Sequence, residues 1–354
     1  MILNDKVVVV TGGTGSLGKV MVRRILSGEF GYPKKLIIFS RDEGKQHAMR
    51  QSYLHKHVTT DEVIYRNFLN TLEFRIGDVR SYADICSVLR NADIVVNAAA
   101  LKQVPVCEYF PEQAISTNCA GASNITRAIH ELNLPVETVV GISTDKACKP
   151  VNVMGMTKAI QERIFITANI LTPKTRFVCV RYGNVLASRG SVIPLFHNQI
   201  KHGGPVTVTT ADMTRFLLSI NQAVDTSFMA LKEALPGEIY IPIIPAATVM
   251  NIAKALIGDR DIDIKVTGIR PAEKIHEILV SQEESHQTSR RGNFYVIHSM
   301  LPELHNPTDT QRCLEDEFSS GNAIITLSET KTLLQQHNLM PNEVELAEGG
   351  ELLV

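Results

Sequence analysis

Six short runs of β-branched and aliphatic residues, at 7–10, 36–39, 74–76, 94–97, 138–143 and 177–182, alternate with amphipathic segments long enough to be helices. Runs without polar alternation belong to strands covered on both faces, and a helix-length connection is what joins parallel strands. The pattern predicts an α/β fold built on a doubly wound parallel sheet. With 354 residues, 44% of them hydrophobic, the chain has the apolar surface for such a sheet and a smaller unit beside it.

After 182 the alternation stops and Gly183, Gly190, Pro194, Gly203, Gly204 and Pro205 interrupt the chain, as expected where it leaves the sheet. The organisation read from this is a nucleotide-binding domain at 1–182, with 219–245 returning to it through a helix at 221–234. A C-terminal α/β substrate lobe takes 183–218 and 246–354. The polar stretch 45–70 is expected to form a helix and an exposed excursion, 329–336 a short helix, and 343–351 an acidic tail.

A net charge of −1 leaves no electrostatic footprint for duplex nucleic acid or an anionic membrane surface. The six cysteines form no Cys-x-x-Cys pair, which points to reduced thiols, and no apolar run approaches the ~20 residues of a membrane span. The run at 7–10 is too short for a signal-peptide core, so an unprocessed, soluble, cytoplasmic protein is expected. The eleven histidines do not gather at ligand spacing, and His55 and His57 fall in the polar excursion, so no metal is expected.

The first run is followed directly by Thr11-Gly12-Gly13-Thr14-Gly15-Ser16-Leu17-Gly18. Glycines at this spacing between a strand and a helix let the backbone approach a pyrophosphate seated on the helix N-terminus, the arrangement of a Rossmann-like dinucleotide site. At the end of the second run, where an acidic residue would bind a free ribose hydroxyl, the chain has Ser40 and Arg41, with Lys45 nearby. A hydroxyl and a planar guanidinium suit a 2′-phosphate, so NADP is the expected cofactor. Gly77-Asp78-Val79 would set the Asp78 carboxylate against the adenine amine, and Ala98, Ala99 and Ala100 would form a small-residue wall beside the cofactor.

Several stretches beyond the glycine turn resemble the bacterial UDP-N-acetylglucosamine 4,6-dehydratases of polysaccharide, capsule and O-antigen biosynthesis, a group of extended short-chain dehydrogenases/reductases. They are Ser40-Arg41-Asp42-Glu43, AAALKQVP at 98–105, STDKA at 143–147, RYGNVLASRGSVIP at 181–194, MTRF at 213–216 and RPAEKIHE at 270–277. The resemblance implies a lyase in which NADP is recycled: C4 of the sugar is oxidised, water is eliminated across C5 and C6, and hydride returns to C6. Elimination next to a new carbonyl needs a base at C5 and an acid at the C6 hydroxyl. On the resemblance these are Lys146 and Asp145, and a lysine base needs a lowered pKa.

Short-chain dehydrogenases carry Tyr-x-x-x-Lys on the next helix, whereas here Met154 stands at the Tyr position, with Lys158 in place for the nicotinamide ribose. A thioether is neither acid nor base, so proton transfer at the C4 hydroxyl falls to Thr144, to Asp145 through a water, or to Lys158. Met at this position resembles a sub-branch that also contains membrane-anchored, C5-retaining members. This chain lacks their membrane segments, which favours C5 inversion.

For the UDP-sugar, the resembling motifs supply Asn184, Arg189, Val192, Pro194, Arg215 and Arg270, with Glu273 accepting from a ribose hydroxyl. Thr207 and Thr209 would meet the uracil and Lys102 the sugar or diphosphate. Ala272 departs from the Gly usual in the 270–277 motif. The resemblance also implies a homo-oligomer, up to a hexamer, with helices of the first domain packed between subunits. The other readings open at this stage are a different UDP-sugar dehydratase, a C4 or C5 epimerase on the same scaffold, and a catalytically silent NADP-binding regulator.

Overall fold

The computed structural model describes residues 1–54, 62–186, 191–269, 273–304 and 313–341, and beyond them a short antiparallel pair, Glu345–Leu346 with Leu352–Leu353. Gly190, Arg189, Arg270, Ala272, His55, His57 and most of the acidic tail lie outside the described residues.

The six expected strands are present as β1 (Val7–Thr11), β2 (Lys35–Ser40), β3 (Leu72–Ile76), β4 (Ile94–Asn97), β5 (Thr138–Ile142) and β6 (Arg176–Val180), paired in parallel. β1 lies between β2 and β4, so the chain reverses its direction of winding there and opens a crevice at the carboxyl ends of those strands. Helices α1 (Ser16–Leu26), α2 (Glu43–Leu54), α3 (Glu62–Thr71), α4 (Tyr82–Leu89), α5 (Gly121–Glu131) and α6 (Val153–Leu171) cover the sheet. Val8, Val9 and Val10 are at most 1% exposed, as expected of a strand enclosed on both faces. The polar excursion holds two helices, docked where Tyr53 of α2 stacks on Phe68 of α3 at 5.3 Å between centroids.

Later in the chain come α7 (Val192–Lys201) and α8 (Ile220–Glu233). α8 starts with a reciprocal capping box between Ser219 and Gln222 and packs against α1, where Arg24 donates to the Asn221 carbonyl at 3.0 Å and pairs with Asp225 at 2.6 Å.

Three sheet strands go beyond the sequence expectation: β7 (Ile239–Pro242), parallel to β6, and the hairpin of β8 (Thr288–Arg291) and β9 (Phe294–Ile297), antiparallel to β7. β7 is a short apolar run interrupted by Pro242, whereas β8 reads Thr-Ser-Arg-Arg and forms no apolar run. The Gly292-Asn293 dipeptide is the local signal of that hairpin, with Gly292 at φ +58°. Segments after β6 form a separate apolar core around Ile193, Phe196, Val206, Val208, Ile252 and Leu256, which the helix Leu327–Gln336 joins through Leu334.

None of the six cysteines, all of them described, forms a disulfide. Among the described residues no helix is long and apolar enough to cross a membrane.

A buried ion cluster ties the strand Ile278–Val280 and the turn after it to the main core. Arg181, just past β6 and 1% exposed, donates to Glu162 of α6 at 2.7 and 3.0 Å, to Glu284 at 2.8 and 2.9 Å, and to the Leu279 carbonyl at 2.9 Å. Burial opposes the charge on Glu284, but Arg181 outweighs it and holds the carboxyl at about 2. Removing one partner of such a cluster leaves an uncompensated buried charge. Arg181→Leu is therefore expected to cost about 3–5 kcal/mol in urea unfolding followed by circular dichroism. A loss below about 1 kcal/mol, the scale of an exposed pair, would mean that the two carboxylates find other partners.

Candidate functional site

The glycine turn is shaped by contacts that allow no side chain. Gly12 has φ +68°, and a Cβ there would lie 2.8 Å from the backbone of Ala99; a Cβ on Gly18 would collide with the carbonyl of Gly13. Gly13 lies against Ile38, and Thr14 is buried. The Thr11 hydroxyl donates to Asn97 Oδ1 at 2.7 Å and accepts from the Ala99 amide at 3.3 Å, which ties the ends of β1 and β4 together. Gly15 precedes α1 in extended conformation, no side chain caps the helix, and its first turn, from Ser16, holds no acidic residue. A bare helix start facing a backbone-lined cradle fits a pyrophosphate. Leu17, Ala98 and Ala99 pack against the sheet core behind it, and Ala100 follows on the loop.

At the β2 end, Gln46 of α2 donates to the Ser40 hydroxyl at 3.0 Å and to its carbonyl at 3.1 Å, an anchor that sequence reasoning missed. Arg41 is half-exposed, 3.7 Å from Asp78, whose carboxylate is held by Arg80 at 2.6 Å. Asp78 thus faces two guanidinium groups, and although burial opposes its charge, the hydrogen bonds from Arg80 hold its carboxyl low. Val79 is buried beneath it and Lys45 pairs with Asp42 at 2.8 Å.

The second half of the site forms where β5 ends. Thr144 breaks the strand and caps a single 3-10 turn, Asp145–Ala147, which keeps Asp145 wholly buried beside Lys146. The Thr144 hydroxyl donates to Asp145 Oδ1 at 2.7 Å. Lys146 Nζ lies 3.2 Å from the same oxygen, 3.0 Å from Asn184 Oδ1 and 3.5 Å from Glu277 Oε1. Arg215 approaches Glu277 Oε1 at 3.6 Å and donates to the Thr214 carbonyl at 2.7 Å. Of the expected residues, Thr144, Asp145, Lys146, Asn184 and Arg215 therefore meet in one cluster. Glu277 was missed; it closes the 270–277 motif in which sequence reasoning singled out Glu273 instead. Among the described residues Glu273 Oε2 is buried and has no hydrogen-bond partner.

The electrostatics correct one expectation. Burial opposes the ammonium of Lys146, but Asp145 and Glu277 outweigh burial and raise its pKa, where a base at C5 calls for a lowered one. Asp145 is lowered despite burial, chiefly by Lys146, while burial and Asp145 push Glu277 up. Lys158 of α6 is the lysine that burial does depress, to about 8; its ammonium donates to the Ile142 carbonyl and to Gln161 Oε1 at 2.7 Å. Met154 is 4% exposed, in a small apolar cluster with Cys107 and Ala114.

Other expected contacts lie apart from this cluster. The amide and hydroxyl of Thr207 are both engaged by Gln199, and the Thr209 carbonyl accepts from Gly268 at 2.9 Å. Val192 and Pro194 form the first turn of α7, and Lys102 is exposed beyond β4.

A dinucleotide cradle at a sheet switch point, with buried acid and base groups at the next strand end, defines an α/β enzyme of the short-chain dehydrogenase/reductase type. Residues 8–299 match the family described as "Polysaccharide biosynthesis protein". A relative in Rickettsia conorii named UDP-glucose 4-epimerase is 40% identical over 97% of this chain and 99% of its own. The structure of Pen from Bacillus thuringiensis superposes with a TM-score of 0.84 at 32% identity, covering 96% of this chain and all of that one. A dTDP-glucose 4,6-dehydratase, DesIV from Streptomyces venezuelae, shares the fold at TM-score 0.62 and 18% identity, over 76% of this chain and 86% of its own. The chain belongs to the polysaccharide biosynthesis protein family.

Gly12→Ala tests the cradle. The fold should persist, since the collision is local, while calorimetry should show dinucleotide affinity reduced by at least about tenfold, or ~1.4 kcal/mol. Unchanged affinity would place the cofactor elsewhere.

Proposed function

We propose that the protein is an NADP-dependent UDP-N-acetylglucosamine 4,6-dehydratase that inverts C5 and releases a UDP-4-keto-6-deoxy-N-acetylhexosamine. The observation that carries this reading is the buried cluster of Asp145, Lys146 and Glu277 at the β5 end, with Met154 where a tyrosine would handle the C4 hydroxyl. Exchange of configuration at C4 alone has no use for a buried acid and base of this kind; elimination across C5 and C6 needs both. The bound nicotinamide would take up hydride from C4 and return it to C6. Ser40 and Arg41 would hold its 2′-phosphate, Lys158 its ribose, and the cradle of Gly12, Gly13 and Gly15 its pyrophosphate.

In this reading Lys146 removes the C5 proton and Asp145 protonates the departing C6 hydroxyl. Transfer of one proton from Lys146 to Asp145, across 3.2 Å, readies both groups, and exclusion of water by the entering sugar favours the neutral pair. Segments 1–182 and 219–245 would carry the cofactor, and Asn184, Arg215 and Glu273, with Arg189 and Arg270, the UDP-sugar.

The name of the Rickettsia relative favours a second reading, C4 epimerisation of UDP-glucose. Proton NMR in deuterated water with each substrate decides. A new C6 methyl signal and a 4-keto carbon from UDP-N-acetylglucosamine, with phosphate-bearing dinucleotide released on heat denaturation, are the expected result. UDP-galactose formed from UDP-glucose without any methyl signal would overturn it in favour of the epimerase.

We also propose a homo-oligomer formed through α5 and α6. Met156, Ile160 and Leu171 of α6 are 47%, 50% and 62% exposed, and Ile160, Ile164 and Leu171 line with Thr126 of α5 an open groove of about 510 Å³. Ile160→Glu should shift the sedimenting species toward monomer; an unchanged coefficient would place the interface elsewhere.

A further inference from the structure

Glu277 reaches the reactive turn from a part of the chain 132 residues beyond Asp145, on the segment that leads into strand Ile278–Val280. Its backbone amide donates to the Ser320 hydroxyl at 2.8 Å, and its side chain is almost wholly enclosed. The charged and titratable groups facing it are Asp145 and Lys146 on the β5 turn and Arg215 on strand Thr214–Phe216, while the adjacent His276 turns its ring to Thr214 at 2.8 Å.

Glu277 Oε1 faces the two cations, but among the described residues the buried Oε2 has no donor to accept from. Asp145 Oδ1 and Glu277 Oε1 lie on the same ammonium, 3.2 and 3.5 Å from Lys146 Nζ, so the nearest acid to Glu277 is Asp145. Two carboxylates have only lone pairs to offer each other, so an enclosed acid–acid contact is favourable only with a proton between them. A buried, partnerless carboxylate oxygen and an acid–acid contact have the same resolution, one proton on the pair. The directions of titration agree: burial and Asp145 drive Glu277 toward its neutral form, while Lys146 keeps Asp145 ionised.

We propose that Glu277 and Asp145 form a carboxylic acid–carboxylate pair that shares one proton, with Glu277 acting through Asp145 as a positioning residue and proton store for the elimination step. This rests on the dehydratase reading above. Lys146 first passes one proton to Asp145 and becomes the free amine; the C5–H bond then breaks toward it, and the electron pair becomes the C5–C6 double bond. The C6–O bond breaks, and the hydroxyl leaves as water with the proton Asp145 delivers. The proton of Glu277 refills Asp145, and the resulting carboxylate is received by Arg215. The pair titrates as a unit, so its proton belongs to both residues.

Two measurements on the full-length, cofactor-loaded protein test this. Infrared spectra at neutral pH should contain a protonated-carboxyl C=O band that shifts in deuterated water and is missing in Glu277→Gln. This readout does not depend on which sugar is the substrate. In single turnover with UDP-N-acetylglucosamine, Glu277→Gln should still oxidise C4, so the near-ultraviolet absorbance of reduced nicotinamide builds up instead of passing. Its kcat for dehydration should fall by the ~10²–10⁴ typical of a lost general acid, with little change in KM. Glu277→Asp, which keeps a carboxyl, should recover part of the rate, and circular dichroism melting shows whether each variant is folded. Absence of the band in the wild type, or a folded Glu277→Gln with turnover within about tenfold of wild type, short of a general-acid effect, overturns the proposal. If the wild type makes no 4-keto-6-deoxy product, the dehydratase reading fails while the infrared band still decides whether the pair shares a proton.

Discussion

A guanidinium enclosed away from water has to be neutralised where it stands, and Arg181 meets that demand by drawing together parts of the chain far apart in sequence. It follows β6, Glu162 comes from the middle of α6, and Glu284 caps the helical turn after strand Ile278–Val280. By desolvation arithmetic such a cluster adds little net stability over an apolar one of the same shape, so what it secures is register. Ser143 donates to Glu162, and the next two residues are Thr144 and Asp145. The ion cluster therefore lies directly behind the reactive turn, and the same Ile278–Val280 strand that it anchors carries Glu277 to the other side of that turn.

The two halves of the crevice handle charge in different ways. Around the glycine turn the groups on offer are backbone ones: the start of α1, the turn itself and the Ala99 region, knit by Thr11 and Asn97. Backbone dipoles cannot titrate, so that cradle keeps its field whatever the pH. At the β5 end the groups are ionisable and enclosed, and their proton affinities depend on one another.

The strand–turn–helix half of the crevice was legible in the sequence because each part is local. A strand, a glycine turn and a helix follow one another within 7–26, and the strand ends at 40 and 97 stand where a parallel sheet puts them. The half at the β5 end was legible only in part. Asp145 and Lys146 are neighbours in sequence and could be read together, but the third member, Glu277, comes from a distant segment. Expecting a lowered Lys146 pKa gave burial the upper hand over Asp145 and left out Glu277, which no local pattern reveals. The β8–β9 hairpin escaped for a similar reason: its edge strand β8 needs no run of apolar residues, and a Gly-Asn turn alone does not say which sheet it joins.

The bare Cα of Gly155 presses on the carbonyl of Lys146 so closely that any Cβ would collide with it, and Asn152 pins the same glycine by accepting from its amide at 2.8 Å. The spacing between the reactive turn and the start of α6 is thus set by main chain. Position 154, one residue earlier, owes its place to that contact and not to its own side chain. Replacing a phenol with a thioether there alters the proton inventory of the pocket and leaves its scaffolding intact. On such a joint a single substitution at 154 can remove a proton carrier without disturbing the main chain that positions Lys146.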